Sequence, residues 1–419
     1  MADIFPTRRA FPNGTFPILP TTADQLPRNL SSAKRHERSS ESCLVECIGI
    51  EDVLNFVDQW EDLVSRSLEP NVFLDPSFAL PAARHISGGQ RPNFLLVWES
   101  RASERRQRLI ALWPVVAPPD LFGSSLKSWI HDYCCSGAPL LDKDRALLCI
   151  EAIFDWIKNN NAQFSALLAS HLQEFGPFQL LLQRYALANG LSVQVLARFE
   201  RAVLNATVVD AGARDFISSK KKKELQRQLR RLGEMGTVTF GEARDGAVLR
   251  EQIEAFMALE TKGWKGRQGG AFLNDAKRAA FLRAMTRIMG NQGQCRLYWL
   301  ALNGRMIAGN IVLIAEGAAY FWKTAYDEDF SFASLGVQLT LDMTERLLRE
   351  PAIRMADSCA VSDHPMIDHI WRARLPMTDV MVSLRRERVD GFSGALQRER
   401  FRRRLREKAK SVLAHFRFG

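Results

Sequence analysis

The chain has 419 residues, 46% of them hydrophobic, a length and composition that predict two or three domains with large buried cores. No apolar run approaches the roughly 20 residues needed to span a bilayer, and the N-terminus lacks the apolar core of a secretion signal, so we expect a cytoplasmic protein. Seven cysteines without paired CxxC spacing support neither a disulfide framework nor a zinc site, and no metal is expected.

The net charge of +10 is concentrated in two short segments, 220–231 and 398–417, and the rest of the chain is net negative. The basicity is therefore local and not a general property of the fold. No helix-turn-helix or basic zipper pattern accompanies the charge, so nucleic acid is an unlikely partner.

A weak internal repeat organises the body of the chain. Residues 1–41 are proline-rich and polar, which predicts disorder. A strand near 44–48 and a helix over 52–67 follow. Phe73-Leu74-Asp75 before a helical pattern resembles Phe272-Leu273-Asn274, and at nearly the same offset Leu109-Ile110-Ala111 resembles Met306-Ile307-Ala308. We therefore predict two similar α+β units, 42–204 and 205–388, followed by a C-terminal helix over 389–419.

The second unit contains three predicted antiparallel strands, at 295–302, 306–314 and 318–326. Asn303-Gly304 between the first two has the positive φ angles that a tight hairpin turn requires. Apolar residues then recur every fourth position from Leu335, which predicts a helix ending before Pro351.

The start of this helix is predicted to receive an anion. Ser334 stands at the N-cap position, Gly336 falls in the first turn, and within the helix no acidic residue comes before Asp342. The first amides and the positive end of the dipole therefore stay open to a phosphate. The corresponding helix of the first unit is expected near Asp142 and Asp144, whose carboxylates would repel phosphate.

These elements in this order resemble the GNAT acyltransferase core. The segments 216–233 and 259–265 and the strand Ala308-Gly309-Asn310 are similar to CelD-like acetyltransferases, which are related to FemAB transferases with two GNAT-like units in tandem. The resemblance covers about 205–385 and implies an α+β fold of tandem GNAT-like units, with mixed, mostly antiparallel sheets flanked by helices.

The resemblance also implies acyl transfer from acetyl-CoA or another acyl-CoA to an amine or hydroxyl. The pyrophosphate would lie on the amides around Leu335, Gly336, Val337 and Gln338, and the pantetheine along the strand 321–326, which includes Thr324. The stretch 331–336 departs from the usual phosphate loop, since it has one glycine and no basic residue.

Several residues are candidates for the chemistry. A strand over 353–357 would deliver Asp357 and His364 to one end of the sheet; His364 is the better base by its ordinary pKa, and Asp363 or Asp357 could orient it or act instead. Tyr326 could protonate the leaving thiolate or simply pack beside Trp322. Lys323 could reach a phosphate, and Cys359 is a nucleophile or a buried thiol.

Three further residues, Glu260, Trp264 and Lys265, are predicted to line the acceptor groove; the alternative makes Trp264 a core anchor and leaves the charges solvated. The lysines at 220–223 fit a phosphate of coenzyme A, an acidic polysaccharide, lipid headgroups or a solvated face. In the tail, an apolar stripe beneath the arginines predicts either a helix on an anionic membrane surface, at the inner face, or a helix docked on its own domain: Phe401, Leu405, Ala409, Val412 and Phe416.

The leading hypothesis is a GNAT-type acyltransferase for a sugar, peptidoglycan precursor or other small acceptor in polysaccharide or envelope assembly. A FemAB-like transferase using aminoacyl-tRNA is the second, with the Lys220 segment facing RNA. A non-catalytic adaptor that holds a polysaccharide machine at a membrane is the third.

Overall fold

The computed structural model describes residues 42–86, 91–101, 104–117, 125–160, 163–206, 216–244, 246–386 and 389–418. The segment 1–41, for which disorder is predicted, lies outside the described residues. The strands are β1 (Ser42–Ile48), β2 (Asn93–Arg101), β3 (Glu104–Val116), β4 (Ser125–Ser128), β5 (Leu140–Leu141), β6 (Ala166–Gln173), β7 (Val193–Asn205), β8 (Val238–Ala243), β9 (Cys295–Leu302), β10 (Arg305–Ala315), β11 (Ala318–Tyr326), β12 (Met355–Asp357) and β13 (Ala373–Ser383).

The helices alternate with these strands. They are α1 (Ile50–Val53), α2 (Val57–Ser65), α3 (Pro76–His85), α4 (Ala146–Asn160), α5 (Pro177–Ala188), α6 (Ser219–Gly233), α7 (Gly246–Lys262), α8 (Trp264–Arg267), α9 (Ala276–Asn291), α10 (Leu335–Leu348), α11 (Ile367–Ile370) and α12 (Val389–Phe418). Short 3-10 turns occupy Leu54–Phe56, Val72–Leu74, Phe272–Asn274 and Glu328–Ala333.

All described strands belong to one sheet, in the order β1-β2-β3-β4-β6-β13-β7-β12-β11-β10-β9-β8, with β5 against β3. The pairing is antiparallel except for β4 with β6 and β11 with β12. The predicted α+β class, with a mixed and mostly antiparallel sheet flanked by helices, is confirmed.

The sheet contains the predicted repeat. The 3-10 turns Val72–Leu74 and Phe272–Asn274 each lead into a helix, α3 and α9, and each is followed by a β-meander. Residues 109–111 lie in β3 and residues 306–308 in β10, which occupy equivalent places in the two halves. The two sequence matches therefore mark the same structural elements.

The two halves exchange their last strands. β13, from the end of the second half, pairs with β6 of the first, whereas β7, from the end of the first half, pairs with β12 of the second. β7 and β13 also pair with each other at the centre, from Ala373↔Val203 to Val382↔Val193. This exchange makes the two predicted sheets continuous.

Helices cover both faces of the sheet. On one face a single apolar core joins α2 and α3 of the first half to α7 and α9 of the second, and the rings of Phe78 and Phe281 meet there at 5.5 Å. On the other face α4 and α5 cover the first half, while α6 and α10 cover the second.

The predicted bounds agree best with the structure for strands that end at a tight turn. β9 and β11 have the predicted bounds, and β12 is two residues shorter than predicted. The helix predicted over 52–67 was wrong as a continuous element. It is interrupted by a 3-10 turn at Leu54–Phe56, because Phe56 leaves the helical region with φ −126° and ψ 23°.

Candidate active site

A cleft opens in the sheet where β11 and β12 separate. These parallel strands pair at only three positions, Ala318↔Met355, Ala319↔Ala356 and Tyr320↔Asp357. β11 continues to Tyr326 against β10, whereas β12 ends and the chain turns away. The resulting cavity has a volume of about 430 Å³ and is lined by residues 321–326, 358–360, 364–367, 260 and 263–265. This volume suits a small ligand or one arm of a larger one.

A β-bulge shapes one wall of the cleft. Ile311 pairs with Lys323 and Val312 with Phe321, so Trp322 is an extra residue in β11. Bulges of this kind redirect side chains. The Trp322 indole points into the aromatic core, where its Nε1 donates to the Tyr133 carbonyl at 2.9 Å. Phe321 packs on the α10 side of the sheet.

The N-terminus of α10 lies against the outer end of the cleft. Ser334 stands at the predicted N-cap position in the left-handed region (φ 49°), but its side chain makes no capping hydrogen bond to the described residues; its carbonyl accepts from the Val337 and Gln338 amides. A Cβ at Gly336 would lie 3.1 Å from Met366 Sδ and 3.6 Å from Tyr326 Cδ1. The helix start and the cleft therefore share these two side chains.

The predicted phosphate-binding segment is held in place by α6. The buried Gln338 side chain donates from Nε2 to the Leu225 carbonyl at 2.8 Å, so this side chain fixes a helix contact and leaves only backbone for a ligand. Leu335 and Gly336 are the first residues of the helix, where amides have no acceptor within the helix. Val337 packs against the neighbouring apolar core.

Glu260, Lys265 and Thr324 form a polar wall. The buried Glu260 carboxylate accepts from Lys265 Nζ at 3.1 Å and from the Phe272 amide at 3.0 Å. Lys265 Nζ also donates to the Thr324 carbonyl at 2.9 Å. Trp264 is 47% exposed, so it stands at the rim and is not the core anchor of the alternative interpretation. All three predicted acceptor-site residues line the cleft together.

Two atoms of β11 in the cleft bear on ligand binding. Thr324 Oγ1 is buried and has no hydrogen-bond partner among the described residues. Lys323 Nζ lies 4.7 Å from the ring centre of Tyr133 and 5.2 Å from that of Trp322. Burial, aided by the charge of Lys265, lowers the pKa of Lys323. The lower pKa makes the neutral amine, the form that accepts protons, available at lower pH than for an exposed lysine.

His364 lines the cleft in a defined tautomeric state. Its Nδ1 accepts from the Met366 amide at 3.2 Å and the Ile367 amide at 3.4 Å, which places the hydrogen of the neutral ring on Nε2. Burial lowers the pKa of His364 and outweighs the opposing charge of Asp368. The geometry therefore offers an N–H donor, because the lone pair needed by a base is already engaged.

Asp357 lies behind the cleft and does not line it. Its carboxylate accepts from the Cys359 amide at 2.8 Å and pairs with Arg201 Nη1 at 3.3 Å. Arg201 also donates to the Cys135 carbonyl at 2.6 Å. Both charged side chains are buried, so the pair ties β7 of the first half to the cleft loop of the second. The Cys359 thiol itself has a pKa raised well above its usual value by burial.

The equivalent position in the first half is filled by the chain itself. A Cβ at Gly137 would lie 2.3 Å from the Ser170 carbonyl oxygen, so residues around 137 press directly on β6. The helix there begins at Ala146 and not near Asp142 as predicted; the buried Asp142 is ion-paired with Arg66 and with Arg108. Within the described residues, no group of three or more His, Cys, Asp or Glu side chains is arranged to hold a metal.

Comparison with known proteins identifies the part of the chain that surrounds this cleft. Residues 219–363 match the family model described as an acetyltransferase (GNAT) domain. This region is similar in sequence to a GNAT acetyltransferase domain. It contains every candidate site residue except His364, which follows it directly. The chain is accordingly an enzyme of the acyltransferase class, which argues against the non-catalytic adaptor.

Solved structures share the fold with little sequence identity. FemX is 9% identical with a TM-score of 0.53, and the match covers 79% of this chain and 96% of FemX. A conserved protein of unknown function from Bacteroides thetaiotaomicron is 11% identical with a TM-score of 0.51, covering 82% and 100%. At such identities the likeness shows the fold alone. No curated protein sequence matches the chain.

The sequence interpretation missed the residues that the first half contributes to the surroundings of the cleft. Tyr133 packs on Lys323 and Phe272, and Cys135 and Arg201 hold the loop after β12. The aromatic run at 129–133 was visible in the sequence, but nothing in it shows that the segment lies against the other half of the chain.

Proposed function

We propose that the cleft between β11 and the loop after β12 binds an acyl-CoA, and that the acyl group passes directly to an amine or hydroxyl acceptor. The observation that carries the proposal is the separation of two parallel strands beside the N-terminus of α10. The exposed edge of β11 suits the amides of a pantetheine arm, and the first amides of α10 suit a pyrophosphate.

Two features support the fit of this donor. The buried Thr324 Oγ1 has no partner in the described protein, so a ligand amide would satisfy it. Gly336 is buried, and the absence of a side chain there lets Met366 and Tyr326 of the cleft lie against the start of α10. Leu335 and Gly336 would contribute their backbone amides, whereas the Val337 and Gln338 amides already donate to the Ser334 carbonyl.

The chemistry requires a proton acceptor and a polarised thioester carbonyl. The acceptor's nucleophilic atom forms the new bond to the acyl carbon, the C–S bond breaks, and the sulfur leaves as thiolate. In our proposal Lys323 takes the acceptor's proton, since burial favours its neutral form. His364 Nε2–H donates to the developing oxyanion. Tyr326, at the rim, protonates the thiolate.

The acceptor would enter past Trp264, Glu260 and Lys265. Their carboxylate, ammonium and exposed indole suit a polar molecule with both hydroxyl and charged groups, such as a sugar or peptidoglycan precursor. Together with the CelD-like resemblance, this wall supports a role in polysaccharide or envelope assembly.

A thiol-release assay with acetyl-CoA and a panel of amino sugars, nucleotide sugars and small amines tests the proposal. We expect acceptor-dependent release of free coenzyme A. If neither acetyl-CoA nor longer acyl-CoAs bind or release thiol, the proposed donor is wrong.

A second candidate is transfer of an amino acid from aminoacyl-tRNA. The lysines at 220–223 are exposed on α6, which contacts the start of α10 through Leu225 and Gln338. A large polyanion could thus reach the phosphate end of the cleft. Aminoacyl transfer that falls steeply with salt, in the absence of thiol release, would favour this donor over acyl-CoA.

A further inference from the structure

The C-terminal helix α12 has one face docked on the protein. Phe392 and Ala395 pack against Ala166 and Met381 of the sheet. One turn further on, Glu399 is buried and accepts from Lys127 Nζ at 3.0 Å. The sequence pattern allows either a helix on an anionic membrane surface or a helix docked on its own domain, and between residues 392 and 403 one face docks on the domain.

Ion pairs fix this docked face firmly. Arg403 donates to Asp379 of β13 at 2.6 Å and to Glu399 at 3.0 Å. Burial opposes ionisation of Glu399, but the hydrogen bond from Arg402 and the charge of Lys127 outweigh it and lower its pKa to about 2. The orientation of α12 about its own axis is therefore set.

The opposite face of α12 presents apolar side chains among cations. Phe401 and Leu405 are one turn apart, lie about half a helical rotation from Glu399, and are 63% and 50% exposed. Arg400, Arg404 and Lys408 are also exposed beside them. Ala409 of the predicted stripe is exposed as well, and the side chains of Val412 and Phe416 lie outside the described residues.

We propose that this outer face, formed by Arg400, Phe401, Arg404, Leu405 and Lys408, docks the protein on an anionic lipid surface. Phenylalanine and leucine would enter the boundary between headgroups and acyl chains, and the long arginine and lysine side chains would extend to the lipid phosphates. Cations beside the apolar pair match the negative charge of such a surface.

Charge and shape favour lipid over other occupants. A second copy of the same face would bring its cations against their equivalents, which is unfavourable. Leucine has no ring on which a base could stack, so single-stranded nucleic acid uses only part of the face. Among the helices that the structure describes, none has the length and hydrophobicity of a membrane span.

Vesicle co-sedimentation of the full chain tests this inference. We expect binding to vesicles of phosphatidylcholine with phosphatidylglycerol and little binding to phosphatidylcholine alone. Phe401→Ser/Leu405→Ser should weaken binding to the vesicles by about tenfold or more, because the apolar area buried in the membrane sets the affinity. Arg400→Gln/Arg404→Gln should weaken it by about fivefold per charge.

Phe175→Ser is the matched control, because Phe175 is 62% exposed and lies beside Glu174 instead of a basic cluster. It should bind as the parent does. All variants should keep the parent's thermal midpoint, since the altered side chains are exposed. The inference is overturned if the parent stays in the supernatant, or if Phe175→Ser loses as much binding as the double variant.

Two further outcomes would also overturn it. If light scattering shows that Phe401→Ser/Leu405→Ser turns a dimer into a monomer, and neither protein binds vesicles, this face is a protein interface. Binding to RNA that survives the same double variant, without vesicle binding, would make the arginines a nucleic-acid contact. Neither outcome bears on acyl-CoA binding in the cleft.

Discussion

Gly336 is the residue on which the phosphate end of the cleft depends most. It lies in the first turn of α10, and a side chain there would press on Met366 and Tyr326. A carboxylate at this position would add repulsion to crowding, because it would occupy the positive end of the helix dipole in competition with the pyrophosphate.

We predict that Gly336→Asp binds acetyl-CoA more weakly than Gly336→Asn, which has nearly the same shape without the charge. The difference between the two variants should be roughly two- to thirtyfold in Kd, the range expected for a charge at a helix N-terminus. Calorimetry measures it. Equal affinities of the Asp and Asn variants would place the phosphates elsewhere.

Lys323 determines the expected pH dependence. A base works in its deprotonated form, so turnover should rise as pH increases through the pKa of Lys323, which burial lowers from the ordinary value. Lys323→Met should lower kcat by about 10²- to 10⁴-fold, the usual contribution of a general base, and should remove the rise of turnover with pH. If Lys323→Met keeps the parent's kcat and the same rise of turnover with pH, another group is the base.

At the scale of secondary-structure elements, the cleft depends on the divergence of β11 and β12. Trp322 is the bulged residue in β11, and β12 is only three residues long. The Arg201–Asp357 pair then holds the loop after β12 against β7. Asp357 is, on this geometry, a positioning residue for the cleft wall.

Breaking this pair should be costly because both partners are buried. We predict that Arg201→Met or Asp357→Asn alone lowers the free energy of unfolding by about 3–5 kcal/mol, since each leaves one buried charge unpaired. The double variant Arg201→Met/Asp357→Leu should be more stable than either single variant. Urea unfolding measures all three, and single-variant losses below about 1 kcal/mol would show that the pair is not buried as described.

For the whole molecule, local sequence signals predicted elements but not their assembly. Asn303-Gly304 and Glu316-Gly317 have the positive φ angles expected of tight turns, which is why the strands they connect were predicted closely. The repeat also appeared in short matching segments. The exchange of β7 and β13 depends on pairing over long sequence distances, for which no local pattern exists.

Contacts between parts of the chain that are far apart in sequence also limited the prediction of the site. Residues within one stretch, such as 321–326 or the set Glu260, Trp264 and Lys265, line the cleft together. Tyr133 and Arg201 were missed, because their role arises only when the first half packs on the second. Asp357 was expected at the cleft surface, since a strand end alone does not reveal a buried partner.

The exchanged strands predict that neither half is a folding unit. Expressed alone, residues 42–206 would lack β13 and residues 207–386 would lack β7, so each would leave the central edge of the sheet unpaired. We expect each half to be insoluble or unfolded by circular dichroism, and the two to copurify when coexpressed. A well-folded, monomeric single half would contradict this account.

A crystal structure with acetyl-CoA tests the central claim most directly. The account predicts the pantetheine between β11 and residues 358–367, its amides beside Thr324, and the pyrophosphate at the amides of Leu335 and Gly336. Coenzyme A bound outside this cleft, or no binding by any acyl-CoA under conditions where the protein is folded, would contradict it.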